Sequence, residues 1–362
     1  MPGQTRHPYE NRPAHHYWRS GVSVLHPVDL QNLYAKKFEI STEDRIMTAG
    51  SCFAQHVARF LRNNGFSVLD EEPPLVGTAP ETAKEYGYQL YSARYGNIYT
   101  PRQLLQLIED SAELTLRDED VWEKKGRYYD ALRPNIEPKG LASRAEVQEL
   151  RRSHLRAVRR LLEKADVLVF TLGLTESWIN RETGTVYPTC PGVIAGSYDE
   201  SVYAFKNFDY NEILDDLRQV IRSMRRSKDN MRFLFTVSPV PLTATASDHH
   251  VMVATSYSKS VLRAVCGHLA DNNALIDYFP SYEIVTAPHS RGYYFDPNMR
   301  TVNDAGVNTV MQFFMAEHMP KNGAAAAEAP QRGRNGKARE VESQDAKSDL
   351  VCEEELLKAF AP

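Results

Sequence analysis

The sequence predicts an α/β fold of three layers, α/β/α, with a parallel sheet of about five strands between two layers of helices. Three observations predict it. Short apolar runs alternate along the chain with longer segments of helical period. One of the runs, Val167–Leu172, is nearly continuous in apolar residues, as in a strand covered on both faces. The residues that follow the runs are small, polar or titratable, which suits the carboxyl edge of a parallel sheet, where ligands bind.

Taken in order, residues 1–30 are polar, aromatic and proline-containing. They read as an arm over the body with Tyr17-Trp18-Arg19 as its packing anchor. Residues 31–320 form the main domain. Residues 45–49 are its first strand and 54–64 its first helix, with Phe53, Val57, Phe60 and Leu61 at helical spacing and Gly65 as the stop. Residues 66–69 are a second strand, ending in Asp70-Glu71-Glu72-Pro73-Pro74. Around Tyr95 to Pro101 a loop runs into a helix, with Thr100 capping and Pro101 at the first helical position. Residues 112–140 are charged, hold Trp122, Tyr128 and Tyr129, and lack a clear period; they read as an excursion beside the site. Residues 145–165 form an amphipathic helix with arginines on its outer face. Strand Val167–Leu172, helix 211–227, strand Arg232–Val237, helix Val251–Asp271, strand 274–277 and helix 303–318 complete the alternation. Residues 321–349, rich in Ala, Gly, Arg, Glu and Gln, have no apolar period and are expected to be disordered. Residues 350–362 carry Val351, Leu356, Leu357 and Phe360 as a short amphipathic segment that docks on the body or serves a partner.

Composition narrows the function. The net charge is −4, with 43 basic and 47 acidic residues, and the basic ones are spread rather than clustered, which argues against nucleic acid. The four cysteines, Cys52, Cys190, Cys266 and Cys352, form no C-x-x-C pair, so neither a structural zinc site nor a disulfide framework is expected. No apolar run reaches membrane-spanning length and no signal-peptide pattern opens the chain. A cytoplasmic protein with no metal or cofactor is the expectation; the oligomeric state stays open.

The chemistry concentrates at Thr48-Ala49-Gly50-Ser51-Cys52-Phe53-Ala54, where strand, tight turn and helix meet. A nucleophile there faces the free N–H groups and positive end of a helix. A thiol would have its thiolate stabilised, and a hydroxyl would have oxyanion donors at hand. The plain alternative is a buried Cys and a capping Ser on any α/β protein. Three other strand ends join the candidate site: Gly173-Leu174-Thr175-Glu176, Ser238-Pro239-Val240-Pro241, and the stretch from Tyr278 to Asp296.

Gly50-Ser51-Cys52-Phe53-Ala54 resembles the name-giving motif of the GSCFA-domain family. YGNIYTP at 95–101, TLGLTESW at 171–178, YPTCPG at 187–192, TVSPVP at 236–241, SYSKSVLR at 256–263 and YFPSYEIV at 278–285 are similar to that family too. The resemblance runs from about residue 20 to about residue 320. It implies likeness to the SGNH/GDSL hydrolases: a flavodoxin-like α/β/α fold carrying esterases, deacetylases and acyltransferases of lipids or carbohydrates. Laid on their Gly-Asp-Ser, this turn puts Cys52 at the nucleophile and Ser51 at the Asp. Gly96-Asn97 looks like the second glycine block. Gly173-Leu174-Thr175-Glu176 looks like the Gly-x-Asn-Asp turn, with Thr175 for Asn. The late Asp-x-x-His is altered: Asp296 is followed by Met299, and neither Met299 nor Thr301 can act as a base.

Two functions follow. In the first, an SGNH-like hydrolase or acyltransferase, Cys52 or Ser51 attacks an acyl carbonyl. His289 takes the proton, with His250, His249 and His56 as alternatives, and Asp296 or Glu176 orients it. The N–H of Cys52, Gly96, the Asn97 amide and Thr175 hold the oxyanion, with Gly50, Gly173 and Ser238 shaping the site. Ser256-Tyr257-Ser258-Lys259 matches Ser-x-x-Lys by chance expectation; Lys259 is either an anion anchor or a solvated lysine. In the second, the chain is a non-catalytic binder of a glycan or metabolite, with Tyr95, Tyr99, Trp178, Tyr187 and Tyr282 either stacking on sugars or serving as core.

Overall fold

The computed structural model describes residues 7–319 and 353–360. Strand β1 (Ile46–Gly50) feeds helix α1 (Phe53–Asn63), followed by α2 (Pro80–Glu85) and α3 (Pro101–Glu113). A hairpin, β2 (Val121–Lys124) and β3 (Arg127–Asp130), leads into α4 (Arg144–Lys164) and β4 (Val167–Leu172). Three short strands, β5 (Glu176–Asn180), β6 (Val186–Tyr187) and β7 (Tyr203–Asn207), precede α5 (Tyr210–Arg225). Then come β8 (Arg232–Val237), α6 (Val251–Asp271), β9 (Ile276–Phe279), α7 (Ser281–Thr286) and α8 (Asp304–His318).

The central sheet is parallel, in the order β1-β4-β8-β9. All of β4 is buried, and its side chains alternate between two cores as a strand period requires. Leu168, Phe170 and Leu172 join Leu104, Leu155, Leu217 and Leu262 from α3, α4, α5 and α6. Val167 and Val169 join Phe53, Val57, Ile284, Val310 and Phe314 from α1, α7 and α8. Helices cover both faces, so the fold is the three-layer α/β/α arrangement. Gly50 stands opposite Thr171, and Thr171 opposite Thr236, so the turns after β1, β4 and β8 leave from one sheet edge. That register is what gathers the motifs.

The structure departs from expectation at four places. Residues 66–69 add no fifth strand: two hydrogen bonds tie Ser67 and Leu69 to Ile46, and then Glu71 N–H turns away to Ser92. The last strand starts two residues later than expected, after a turn closed by Ile276 N–H on the Asn273 carbonyl. Residues 112–140 contain the β2–β3 hairpin, whose turn puts Lys125 and Gly126 at positive φ. A primed turn led by lysine lacks the Asn-Gly or Asp-Gly signal. In the arm, Trp18 and Tyr17 are exposed and anchor nothing in the core. The anchoring is done later, where Tyr34 OH meets Asp277 and Ile40 N–H meets His318. Residues 321–349 lie outside the described residues.

A buried ion network joins α3, α4 and the hairpin. Asp110 accepts from Arg117 at 2.7 Å and Arg151 at 2.8 Å, and Asp130 from Arg133 at 2.7 Å. Beside it, His154 Nδ1 lies 2.6 Å from Glu72. Burial alone would raise the Glu72 carboxyl. His154, Arg133 and the Arg94 N–H outweigh it and hold that carboxyl down at about 2.

Candidate functional site

The turn after β1 is built by its backbone. Gly50 has a φ of +141°, and a Cβ there would lie 2.4 Å from the Thr171 carbonyl oxygen, so only glycine lets the two strand ends close. Ser51 N–H donates to Thr171 O, and the Gly50 carbonyl accepts from Ile98 N–H. The Ser51 carbonyl accepts from Ala54 N–H at 2.8 Å and from Tyr91 OH at 3.0 Å. Every bond that fixes the turn is thus made by the backbone of Gly50 and Ser51. The Ser51 hydroxyl is buried and has no hydrogen-bond partner, and the Thr171 hydroxyl beside it is in the same state. Buried hydroxyls without a partner are uncommon, and a catalytic role is one of the reasons a fold keeps them.

Cys52 is the N-cap of α1, but its side chain does not cap the helix. It is 4% exposed and belongs to the apolar cluster that holds Phe53, Val240, Ile284 and Val285. The thiol is therefore buried, as the plain alternative reading of the turn has it. Its helical φ and ψ turn the side chain into the α7–α8 layer rather than toward solvent.

Gly96 and Asn97 form the second wall. Asn97 Oδ1 accepts from Gln55 Nε2 at 3.2 Å and from Tyr91 OH. Tyr91 has one proton to share between Asn97 and the Ser51 carbonyl, so this tyrosine ties the second block to the turn. Sequence reasoning missed Tyr91 and Gln55. The available signal was a glutamine on the buried face of α1, three residues after Cys52.

The turn after β4 is closed over Ser51. Gly173 N–H donates to the Tyr99 carbonyl, and the Gly173 carbonyl accepts from Lys259 Nζ. Lys259 is 1% exposed, so it is not the solvated lysine that the helical reading allowed. Its neighbour Ser258 takes Thr175 N–H at 3.0 Å, and Thr175 Oγ1 pairs with Ser258 Oγ at 2.7 Å and Asn207 Oδ1 at 2.6 Å. Thr175 is thus committed to holding its own turn and offers no N–H to an oxyanion. The Ser-x-x-Lys segment contributes through Ser258 and Lys259, while Ser256 bonds back to its own helix at Met252. Ser238 N–H continues the ladder to the Leu172 carbonyl, and its hydroxyl accepts from Val240 N–H.

The late block gives the Ser51 hydroxyl no partner. His289 lines a surface cavity with Trp18, His26, Arg291 and Tyr293. Its Nε2 is buried without a partner, and burial lowers its pKa. Asp296 makes no side-chain hydrogen bond with it; its backbone N–H and C=O close a local turn with Thr301 and Met299. Neither reaches the Ser51 hydroxyl. His250 is exposed and caps α6, accepting from Met252 N–H.

Glu176 lines a cavity of about 140 Å³ that begins just past Gly173. Burial pushes its carboxyl up against the opposing hydrogen bonds from Thr245 and Ala246. Leu174 and Leu242 line that cavity and also pack with Tyr99, so one apolar cluster stands between it and the Ser51 turn. Two motif stretches, Leu174 to Trp178 and Pro188 to Cys190, and the loop Leu242 to Ala246 that follows a third motif supply its walls.

A family model described as the GSCFA family matches residues 45–314. The chain belongs to the GSCFA family. The comparison with curated proteins found no match. The matched span runs from β1 into α8, so all the strand-end turns above belong to the GSCFA region. Tyr95, Tyr99 and Tyr187 of its motifs are core residues, at 3%, 2% and 0% exposure, while Trp178 is half-buried at the cavity. Among the described residues, no helix is long and apolar enough to cross a membrane.

Proposed function

We propose that this GSCFA chain is an acyl-transfer enzyme, a hydrolase or acyltransferase acting on an acyl ester of a carbohydrate or lipid. In this reading Ser51 is the nucleophile and Lys259 the base. One observation carries the proposal: a buried Ser51 hydroxyl without a partner, packed against Gly173, whose carbonyl holds the buried Lys259. Desolvated lysine is an established general base, and Ser–Lys pairs run acyl transfer on unrelated folds. Ser51 Oγ attacks the ester carbonyl and its proton passes to Lys259 Nζ, which in this reading is the neutral amine and swings from the Gly173 carbonyl to the Ser51 hydroxyl. The tetrahedral adduct collapses, the leaving alkoxide takes that proton, and water or an acceptor hydroxyl releases the acyl group. Cys52, buried in the α7–α8 layer, is the alternative nucleophile.

Hydrolysis of p-nitrophenyl acetate tests this. Ser51→Ala and Lys259→Met are each expected to lose about 10²–10⁴ in kcat/KM. Cys52→Ala is expected to stay within about three-fold of wild type, since the buried thiol stands outside the proposed Ser51–Lys259 pair. Loss confined to Cys52→Ala moves the nucleophile by one residue. The second reading, a non-catalytic binder, is favoured by the lack of any base within hydrogen-bond distance of Ser51 Oγ. Hydrolysis by the wild-type chain no faster than the buffer rate supports it.

A further inference from the structure

The cavity beside Glu176 is closed on one side by this chain's own C-terminus. Leu357, on the helical segment Glu353–Phe360, lines it together with Leu174, Trp178, Cys190, Phe205 and Leu242. Leu357 is half-buried, while Leu356 and Phe360 are exposed. Of these three apolar side chains, then, only Leu357 is turned to the body. A contact this small is weak by itself and depends on the tether, which supplies a high local concentration. Such a cover can lift without disturbing the fold.

The lining also tells what the cavity would accept. Its walls are mostly aliphatic and aromatic; the polar side chains are Glu176, Ser177, Thr189 and Thr245, and the Ser177 and Thr245 hydroxyls already donate to the Tyr187 carbonyl and to Glu176. A carboxylate ligand would meet the Glu176 carboxyl and be repelled. An uncharged hydroxyl, amide or ester beside a short alkyl chain would meet an acceptor and apolar walls. We propose that the cavity is a binding site for a short, uncharged aliphatic group, and that the C-terminal segment covers it through Leu357. The inference does not depend on the chemistry proposed for Ser51; it concerns access to the neighbouring cavity.

Cys190 is the reporter. Its thiol lines the cavity, and burial holds its pKa up at about 11. Uncovering it exposes the sulfur and eases its ionisation, so both effects speed alkylation. The assay uses the full chain in a Cys352→Ser background. Iodoacetamide labelling of Cys190 at pH 8 is followed by peptide mass spectrometry. Leu357→Asp is expected to speed labelling at least ten-fold, and Leu357→Met to leave it slow. A peptide of residues 350–362 carrying the same Cys352→Ser change, added to the Leu357→Asp chain, is expected to restore slow labelling. So is n-butanol, whereas butyrate at equal concentration is expected to protect less. Equal labelling rates in wild type and Leu357→Asp overturn the cover. Faster labelling that neither peptide nor n-butanol reverses overturns the binding site. Protection by butyrate equal to that by n-butanol overturns the uncharged ligand class.

Discussion

A side chain on Gly173 would bring its Cβ to 3.0 Å from Ser51 Cβ. The two residues follow neighbouring strands, so this contact seals the two turns against each other. The same Cβ would lie 3.0 Å from the Tyr99 ring and 3.3 Å from Tyr99 Cα, which is backbone and cannot swing aside.

Gly173→Ala is therefore expected to cost about 1–3 kcal/mol through overpacking, with the Ser51 turn displaced. Gly50→Ala is expected to cost more, about 3–5 kcal/mol or failure to fold. It meets the Thr171 carbonyl at 2.4 Å and also forces a φ of +141° on a residue with a Cβ. Urea denaturation of both variants checks the order. Equal or reversed costs would mean that the β1 and β4 turns are not closed as described.

The ion network yields a second expectation. Asp110 is 2% exposed and takes two arginines, of which Arg151 is 4% exposed. Arg151→Met leaves Asp110 and Asp130 short of a buried cation and is expected to cost about 3–5 kcal/mol. The double variant Arg151→Met with Asp110→Leu is expected to cost less than the sum of the singles. Additive costs in that cycle would sink the coupling.

The pH dependence is readable at His318. Ile40 N–H donates to Nδ1 at 3.1 Å, and a backbone N–H can only donate, so Nδ1 holds the lone pair. The proton is then on Nε2, 3.0 Å from Tyr34 OH, which in turn donates to Asp277. Burial first, and the Lys36 charge second, lower the His318 pKa from 6.5 to about 4. The folded state thus binds fewer protons than the unfolded one. Its contribution is complete above pH 6.5 and is lost as pH falls through about 4, a change of about 3 kcal/mol. His318→Gln can keep both hydrogen bonds and cannot titrate. Unfolding free energies at pH 7 and pH 4.5 are expected to differ less in that variant. An unchanged difference would place the acid sensitivity elsewhere.

The central elements were legible because their signals are local. Val167–Leu172 is apolar but for Thr171 since helices cover it on both sides, and Thr100-Pro101 reads as a helix start because the cap and the proline act within one turn. What the sequence hid is set by long-range register. Nothing near Lys259 tells that its Nζ ends on a glycine carbonyl 86 positions away. Nothing near His289 tells that its loop faces Trp18 rather than Ser51. The fifth strand failed for a related reason: residues 66–69 have strand composition, but Glu72 is drawn to His154, 82 positions on.

The last expectation separates Ser51 from Cys52 by reagent rather than by turnover. Cys52 is 4% exposed within an apolar cluster, and a thiol so placed reacts only when the structure opens. In a Cys352→Ser background, iodoacetamide is expected to label Cys52 at least ten-fold more slowly in the native protein than in urea. Ser51 is also closed, at 2% exposure, but its hydroxyl has no partner to lose when an electrophile arrives. A small sulfonyl fluoride is expected to modify Ser51, and Lys259→Met to abolish the modification while leaving Cys52 labelling unchanged. The base acts on the hydroxyl through proton removal, so its loss should not alter protection of a thiol in the opposite layer. Fast native labelling of Cys52 together with an inert Ser51 would return the nucleophile to the thiol. Sulfonylation of Ser51 that survives Lys259→Met would leave the nucleophile in place and remove the lysine from its role.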